Sequence, residues 1–364
     1  WFHGSSVGEI LSVIPLVEKL EKNKLVDKIL ITSSTLSSSK VLSKLMLKKT
    51  IHQFFPIDSN FLTNKFLNHW NPSMAIFIES EIWPNMLINI NKKKIPLILL
   101  NARITKKSYK RWKTFSFSSK LFKKFDLSLP QNSETKRYLY SLGAKNIKLL
   151  GNLKFSENEL EKKNNLTQAQ RNFFNSKKLW CASSTHASEE KICGLMHKKL
   201  KSKYKKLLTI IIPRHVQRID EIIKEIQNLG LTFHKHSSKV NIPSNTDIYL
   251  VDTYGDTKVF YKICKTVFLG GSLIPHGGQN PLEATRYGCE VFHGPHIENF
   301  TEVYRLLKKI NLSYKINNST QLFKLLNQSL SKNVSSIKKI KKLKKIGIEI
   351  LEKNYTELNR YIKK

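Results

Sequence analysis

Residues Lys28–Lys49 read KILITSSTLSSSKVLSKLMLKK. The apolar run Lys28–Thr32 stops at the polar segment Ser33–Ser39, and an amphipathic stretch, Ser39–Lys49, follows. Apolar strand, hydroxyl-rich loop, helix: this unit is the signature of a mostly parallel sheet whose polar residues gather at the C-terminal strand ends. Ala75–Ile78 repeats it, ending in Glu79, Ser80 and Glu81, and Pro96–Leu100 repeats it again, ending in Asn101, Ala102 and Arg103. Leu11–Lys22 is a further amphipathic helix of this series. Open α/β sheets bind their ligands at that edge.

A second series follows. Leu179–Ala182, Leu207–Ile212, Leu231–His234, Ile248–Val251, Thr266–Leu269 and Glu290–His293 each stop at a polar or glycine turn. Between the two series, Gly151–Phe155 runs into the charged, Asn-rich stretch Ser156–Lys178, which reads as a linker. Leu306–Lys364 is helical in pattern and rich in Lys. The expected layout is an α/β protein with a first domain over 1–155, a linker over 156–178 and a second domain over 179–364. The terminal helices of the second could pack back on the first. Two similar α/β domains facing across a cleft suit a two-substrate enzyme.

Size and charge agree with this layout. A chain of 364 residues exceeds one ordinary core, and a hydrophobic content of 40% supplies two. The net charge of +36 favours an anionic partner: an acidic membrane surface, a phosphorylated lipid or nucleic acid. Only 9 of the 63 basic residues are Arg, which singles those few out for bidentate phosphate or carboxylate contacts that Lys makes poorly. Zinc-finger spacing, an RRM signature and a basic zipper are all absent, so no small nucleic-acid module fits. Cys181, Cys193, Cys264 and Cys289 form no CxxC pair and are expected to be buried thiols in a reducing compartment. No signal peptide and no uninterrupted apolar 20-mer is present.

Several strand-end constellations could carry chemistry. Trp1–Glu9, WFHGSSVGE, places Glu9 at the mouth of a helix, as a first-turn acid held by the helix dipole or as a general base with glycine around it. Glu79, Glu81, Trp83, Pro84 and Asn85 form either a capped helix start or a paired acidic site, with Arg103 and Lys154 at comparable strand ends as positive partners. Val267–Pro281, VFLGGSLIPHGGQNP, is a glycine-rich strand-to-helix turn, crowded or anion-cradling, with Glu283 beyond it on a turn that could face a ribose. Pro213, Arg214 and His215 end another strand, so Arg214 is a phosphate candidate or a surface ion pair. Ser183–His186 could be ligand contacts or plain capping by Thr185 or Ser188. Asp252–Asp256, DTYGD, is an Asx-type turn or a nucleotide contact. G-x-S-x-G, HExxH, Walker A and a metal-binding DxD are absent, which favours Arg, Lys and backbone N–H groups acting on phosphate without a metal.

In their order along the chain, these blocks resemble the 3-deoxy-D-manno-octulosonic acid (Kdo) transferases. The blocks are WFHGSSVGE, FPID (Phe55–Asp58), IESEIWPN (Ile78–Asn85), NARITKKS (Asn101–Ser108), GNLKF (Gly151–Phe155), ASSTH (Ala182–His186), PRH, DTYGD, GGSLIPHGGQNPLEA and GPHIENF (Gly294–Phe300). The resemblance implies a GT-B fold, two Rossmann-like α/β domains with C-terminal helices. It implies inverting transfer of Kdo from CMP-Kdo to a tetraacyl-disaccharide 1,4′-bisphosphate lipid A precursor, in lipopolysaccharide core biosynthesis. Glu9 would be the base, with Glu79 and Lys154 assisting the transition state. Pro213, Arg214, Tyr254, Gly255, Asp256, Gly271, Asn280, Pro281, Leu282 and Glu283 would hold CMP-Kdo; Ser34, Glu81 and Arg103 would contact the acceptor. No metal and no cofactor beyond the donor is implied. Partners would be CMP-Kdo, the phosphorylated lipid and the anionic surface at the cytoplasmic face of the bacterial inner membrane, not nucleic acid. Family members usually carry an N-terminal membrane anchor, and here the sequence opens at Trp1 without one.

Two departures stand out. Ser38 occupies a position where relatives have Gly, which would strain a left-handed backbone. Gln279 stands where most have His. The rival readings are another GT-B nucleotide-sugar enzyme (a UDP-sugar transferase or epimerase), a basic nucleic-acid-binding protein, and a scaffold without catalysis.

Overall fold

The computed structural model describes residues 1–157, 166–332 and 337–362. It divides into two compact units, Trp1–Asn158 with Lys344–Lys364 (unit 1) and Glu159–Leu343 (unit 2).

Unit 1 runs β1 (Phe2–His3), α1 (Val7–Glu21), β2 (Ile29–Ser33), α2 (Leu36–Leu42), β3 (Thr50–Phe54), α3 (Asn60–Trp70), β4 (Ala75–Ile78), α4 (Pro84–Lys92), β5 (Leu97–Ala102), α5 (Lys106–Thr114), α6 (Ser118–Phe122), β6 (Leu127–Pro130) and α7 (Ser133–Ser141). Unit 2 runs α8 (Gln168–Asn175), β7 (Lys178–Thr185), α9 (Glu189–Lys201), β8 (Leu207–Pro213), α10 (Ile219–Asn228), β9 (Phe233–Lys235), β10 (Ile248–Leu250), α11 (Thr257–Ile263), β11 (Thr266–Leu269), α12 (Leu282–Arg286), β12 (Glu290–His293), α13 (Thr301–Lys309), β13 (Ser313–Lys315) and α14 (Ser319–Ser331). The long C-terminal helix, α15 (Ile337–Ile362), contributes its residues from Lys344 onward to unit 1.

Each unit is a parallel sheet with crossover helices. The sheet of unit 1 has the order β3-β2-β1-β4-β5-β6, every pair parallel. That is the doubly wound Rossmann order, and its direction reverses between β1 and β4. The sheet of unit 2 has the order β13-β12-β11-β7-β8-β10-β9, also parallel throughout, and reverses between β7 and β11. Crevices open at the C-terminal ends of the strands flanking such reversals. Strands covered on both faces read as near-continuous apolar runs, as AIFI of β4 and, but for Thr209, LLTIIIP of β8 do, every residue buried. Hydroxyl or amide N-caps begin the helices after them: Ser6, Thr35, Ser59, Thr105 and Asn132 each accept a backbone N–H of the following turn.

Several expectations change. Helix α2 ends at Leu42 rather than running to Lys49, and the chain then turns into β3, an edge strand whose alternating, half-exposed TIHQF carries little strand signal. The short β6 and β13 were not expected either, and β13 interrupts the stretch read as helical from Leu306. Within the 156–178 segment read as a linker lies α8, closed by a capping box between Thr167 and Gln170. Residues 158–165 of that segment lie outside the described residues. The second domain was drawn to residue 364 with terminal helices that could pack back on the first, and residues 344–364 group with unit 1. The four cysteines are free and buried.

Candidate active site

In unit 1 the loops after β1 and β4 meet the reversal point, and they carry Glu9, Glu79 and Glu81. Glu9 is the third residue of α1, behind the N-cap Ser6. Its half-buried carboxylate accepts the Ser5 N–H at 2.7 Å and the Ser6 hydroxyl at 2.9 Å. A Cβ on Gly4 would stand 3.3 Å from Glu9 Cβ and 3.0 Å from Ile78 Cδ1, so glycine lets the loop close over the acid. Burial raises the Glu9 pKa, the negative charges of Glu81 and Glu79 push it further up, and the two serine hydrogen bonds pull the other way.

Glu81 is held from two sides: His3 Nε2 lies 3.1 Å from Oε2, and Trp83 Nε1–H donates to the same oxygen at 2.7 Å. The fully buried His3 ring stacks on Phe55 at 3.7 Å, and burial lowers its pKa against the pull of Glu81. Trp83 is half-buried and precedes Pro84 at the start of α4. The helix start is capped by Asp58, whose carboxylate accepts the N–H groups of Asn85 (3.1 Å) and Met86 (2.8 Å). The capped helix start expected of the Glu79–Asn85 cluster is therefore present, with Trp83 half-buried rather than buried.

Glu79 is buried, at φ +54, and pairs with Lys154 Nζ at 2.6 Å. Lys154 does not end a strand as expected; it sits in a 3-10 turn, Leu153–Phe155, capped by Asn152. Asn101, at φ +51 beside a register shift in β5, accepts the Leu153 N–H at 3.1 Å and so ties that turn to the sheet. Left-handed non-glycine residues at adjacent strand ends carry strain, a pattern that collects at functional sites. Arg103 donates its backbone N–H to the backbone carbonyl of Glu79 (3.2 Å). Ser34 is exposed just after β2, its N–H directed at the Ser5 carbonyl at 3.4 Å. Ser38 keeps ordinary helical backbone within α2 and bonds the Thr35 hydroxyl at 2.7 Å, so the strain foreseen there does not arise.

In unit 2 the strand ends of β7, β8, β10 and β11 present the expected donor residues. The organising side chain was not foreseen. The fully buried Glu189 carboxylate accepts N–H groups from His186 (3.0 Å), Gly271 (2.7 Å), Leu273 (3.1 Å) and Ser272 (3.3 Å), and so moulds the glycine loop around itself. Gly270 must be glycine, since a Cβ would stand 2.5 Å from the Ser184 carbonyl oxygen and 2.6 Å from Glu189 Oε2. Ser188, at φ +74, makes no capping bond with its hydroxyl, and the Thr185 hydroxyl is buried without a partner, so neither supplies the hydroxyl cap expected.

Pro213 is buried at the end of β8 and the Arg214 side chain beyond it is exposed. Tyr254 and Gly255 are exposed in the turn before α11, whose N-cap Asp256 accepts from the Thr253 hydroxyl at 2.6 Å. Lys258 of α11 reaches Glu283 of α12 at 3.7 Å, which joins the DTYGD turn to the QNPLE segment. Asn280 Oδ1 accepts the Leu282 N–H at 3.1 Å. Pro281 is the N-cap of α12, a helix of only five residues, so its dipole offers an anion less than the sequence suggested. Gln279 uses its carbonyl to accept the Tyr304 hydroxyl at 3.0 Å. Among the described residues no group of three or more His, Cys, Asp or Glu is arranged to hold a metal ion.

Comparisons with known proteins bear on the family and the fold. The family model described as "3-Deoxy-D-manno-octulosonic-acid transferase (kdotransferase)" matches residues 1–157. The 3-deoxy-D-manno-octulosonic acid transferase of Rickettsia felis is 31% identical over 100% of this chain and 77% of its own length. That of Rickettsia bellii is 32% identical over 100% of this chain and 86% of its own. Among solved structures, UDP-GlcNAc 2-epimerase from Neisseria meningitidis superposes with a TM-score of 0.63 at 17% identity, covering 97% of this chain and 99% of that one, a likeness of fold. With two Rossmann-like units in the GT-B manner and matches that run the length of the sequence, the chain belongs to the 3-deoxy-D-manno-octulosonic acid transferase family.

Proposed function

We propose that this protein transfers Kdo from CMP-Kdo to a phosphorylated, acylated glucosamine disaccharide, with Glu9 as general base. The observation that carries the assignment of Glu9 is its environment: burial and two neighbouring acids raise its pKa, which is what a base working near neutrality needs. Glu9 takes the proton of the acceptor hydroxyl as that oxygen attacks the anomeric carbon; the bond from that carbon to the phosphate oxygen breaks, and CMP leaves with inversion. The Glu79–Lys154 pair supplies fixed charge for the developing transition state. Arg214, the DTYGD turn, the glycine loop at Gly271 and residues Asn280–Glu283 bind the CMP portion. Ser34, Glu81 and Arg103 border the acceptor.

The acceptor we favour is the tetraacyl-disaccharide 1,4′-bisphosphate, and the place of work is the cytoplasmic face of a bacterial inner membrane. Support comes from the charge of +36 and from exposed apolar side chains of unit 1, Leu36, Met46, Ile57 and Phe61, interspersed with the exposed Lys40, Lys44, Lys48 and Lys65. No helix among the described residues is long and apolar enough to cross a membrane.

Substituting Glu9→Gln tests the assignment. Transfer should fall by about 10²–10⁴-fold, the usual worth of a general base, while CMP affinity stays within about twofold of wild type. Normal turnover by that variant would refute Glu9 as the base.

A further inference from the structure

Two histidines at the reversal point of unit 2, His186 and His276, have no part in the assignments above. His186 leaves β7 through a segment with a register shift between Ser183 and Thr185 and left-handed backbone at Ser184 (φ +55) and Ser188 (φ +74). The residue is only 8% exposed, yet its buried Nε2 has no hydrogen-bond partner. Leaving a buried imidazole nitrogen unpaired is costly, so a site that keeps one has a use for it.

The surroundings indicate what it meets. The exposed His276 ring lies 4.3 Å from that of His186, and His215 lies 5.7 Å away edge-on. Gly271, at φ +64, flanks them; a Cβ there would stand 3.1 Å from His186 Nε2 and 3.2 Å from His276 Cδ2. The absent side chain lets the glycine loop lie directly against both rings. The charges around His186 come from each neighbouring element: Arg214, His215 and Arg218 after β8, His276 on the glycine loop, Glu189 and Glu190 at the start of α9. Both acids are already engaged, Glu189 with four backbone N–H groups and Glu190 with Arg218 at 3.0 Å. What remains facing outward is positive or can become so.

We propose that His186 and His276, with Arg214, form an oxyanion subsite that grips a negatively charged group of the donor beside the bond that breaks. The chemistry suits a phosphate oxygen of the nucleotide or the carboxylate of the sugar. This deepens the Kdo-transfer reading and rests on it. Burial and then the charges of His276, His215, Arg214 and Arg218 hold the His186 pKa down to about 4, so the ring is neutral near pH 7. An anion at Nε2 favours the imidazolium, so binding draws in a proton.

Calorimetric titration of the full chain tests this with CMP, free Kdo, cytidine and UDP, each in two buffers of different ionisation enthalpy. His186→Asn removes Nε2, and His276→Ala changes an exposed ring whose loss leaves the fold intact. Expected is a loss of affinity on the order of tenfold or more in both variants, for CMP if the subsite holds phosphate or for Kdo if it holds carboxylate. Cytidine affinity stays unchanged, and wild type takes up more protons on binding than His186→Asn. Wild-type affinity and proton uptake for CMP and Kdo in both variants would overturn the subsite, as would a wild type that binds none of the charged ligands. If wild type ignores CMP and Kdo but binds UDP, and the variants weaken UDP, the subsite stands and the Kdo reading fails.

Discussion

Glu9 and Glu81 make the sharpest case for reading chemistry from single residues. The negative charge of Glu81 raises the Glu9 pKa, so removing it lets Glu9 ionise at lower pH. Glu81→Gln should therefore move the acidic limb of the pH–rate profile downward while keeping the base in place. A limb that stays put would mean Glu81 acts on the acceptor alone. The residue types of this site were legible: Glu9, Glu79 and Lys154 occupy motif positions, and Glu79 and Lys154 meet at 2.6 Å. Their supports were not. Asn101 reaches Leu153, Glu189 reaches Gly271, and His186 faces His276, each across a gap that only the folded sheet closes. The one available signal was the placement of Asn101 and His186 in polar segments that end apolar runs, where ligands gather.

At the scale of elements, α15 and α9 act as braces. In unit 1, α15 approaches the Lys154 turn so closely that a Cβ on Gly347 would stand 2.3 Å from the Phe155 carbonyl oxygen. Mid-helix glycine costs about 1 kcal/mol relative to alanine, and here the close approach accounts for it. Gly347→Val should lower the melting temperature and reduce turnover by shifting Lys154, with CMP affinity unchanged; unaltered turnover would dismiss the brace. In unit 2, α9 carries Glu189 at its start and is tied near its end to Asp247, which His197 (3.2 Å), Lys201 and the Thr232 N–H (3.0 Å) all contact. These partners outweigh burial and depress the Asp247 pKa. The stabilisation is present above the ordinary carboxylate range and lost as pH falls through the depressed value. Asp247→Asn should cost about 3–5 kcal/mol at pH 7 and progressively less in strong acid, followed by chemical denaturation. A pH-independent difference would contradict that origin. Buried strands such as β4, β8 and β11 were legible to within a residue or so because both faces are apolar, whereas edge strand β3 was hidden by its half-exposed, polar sequence.

Across the whole molecule, the apolar-run pattern exposed two α/β series, and the order of motifs led to the family. That the terminal helices could return to the first domain was foreseen, but the point of return near residue 344 was not legible, because a Lys-rich amphipathic helix does not announce where it changes unit. The charge of +36 predicts binding to vesicles containing anionic lipid that weakens as ionic strength rises from about 0.01 M to about 1 M. Over that range the screening length falls from about 30 Å to about 3 Å. Equal binding to neutral vesicles would remove electrostatics from the account. The central claim is tested most directly by incubating the full chain with CMP-Kdo and the phosphorylated, tetraacylated glucosamine disaccharide, measuring CMP release and the mass of the lipid together. The account predicts lipid heavier by whole Kdo residues, one CMP released for each. CMP release without lipid extension, or no reaction with CMP-Kdo while a UDP-sugar is consumed, would contradict it.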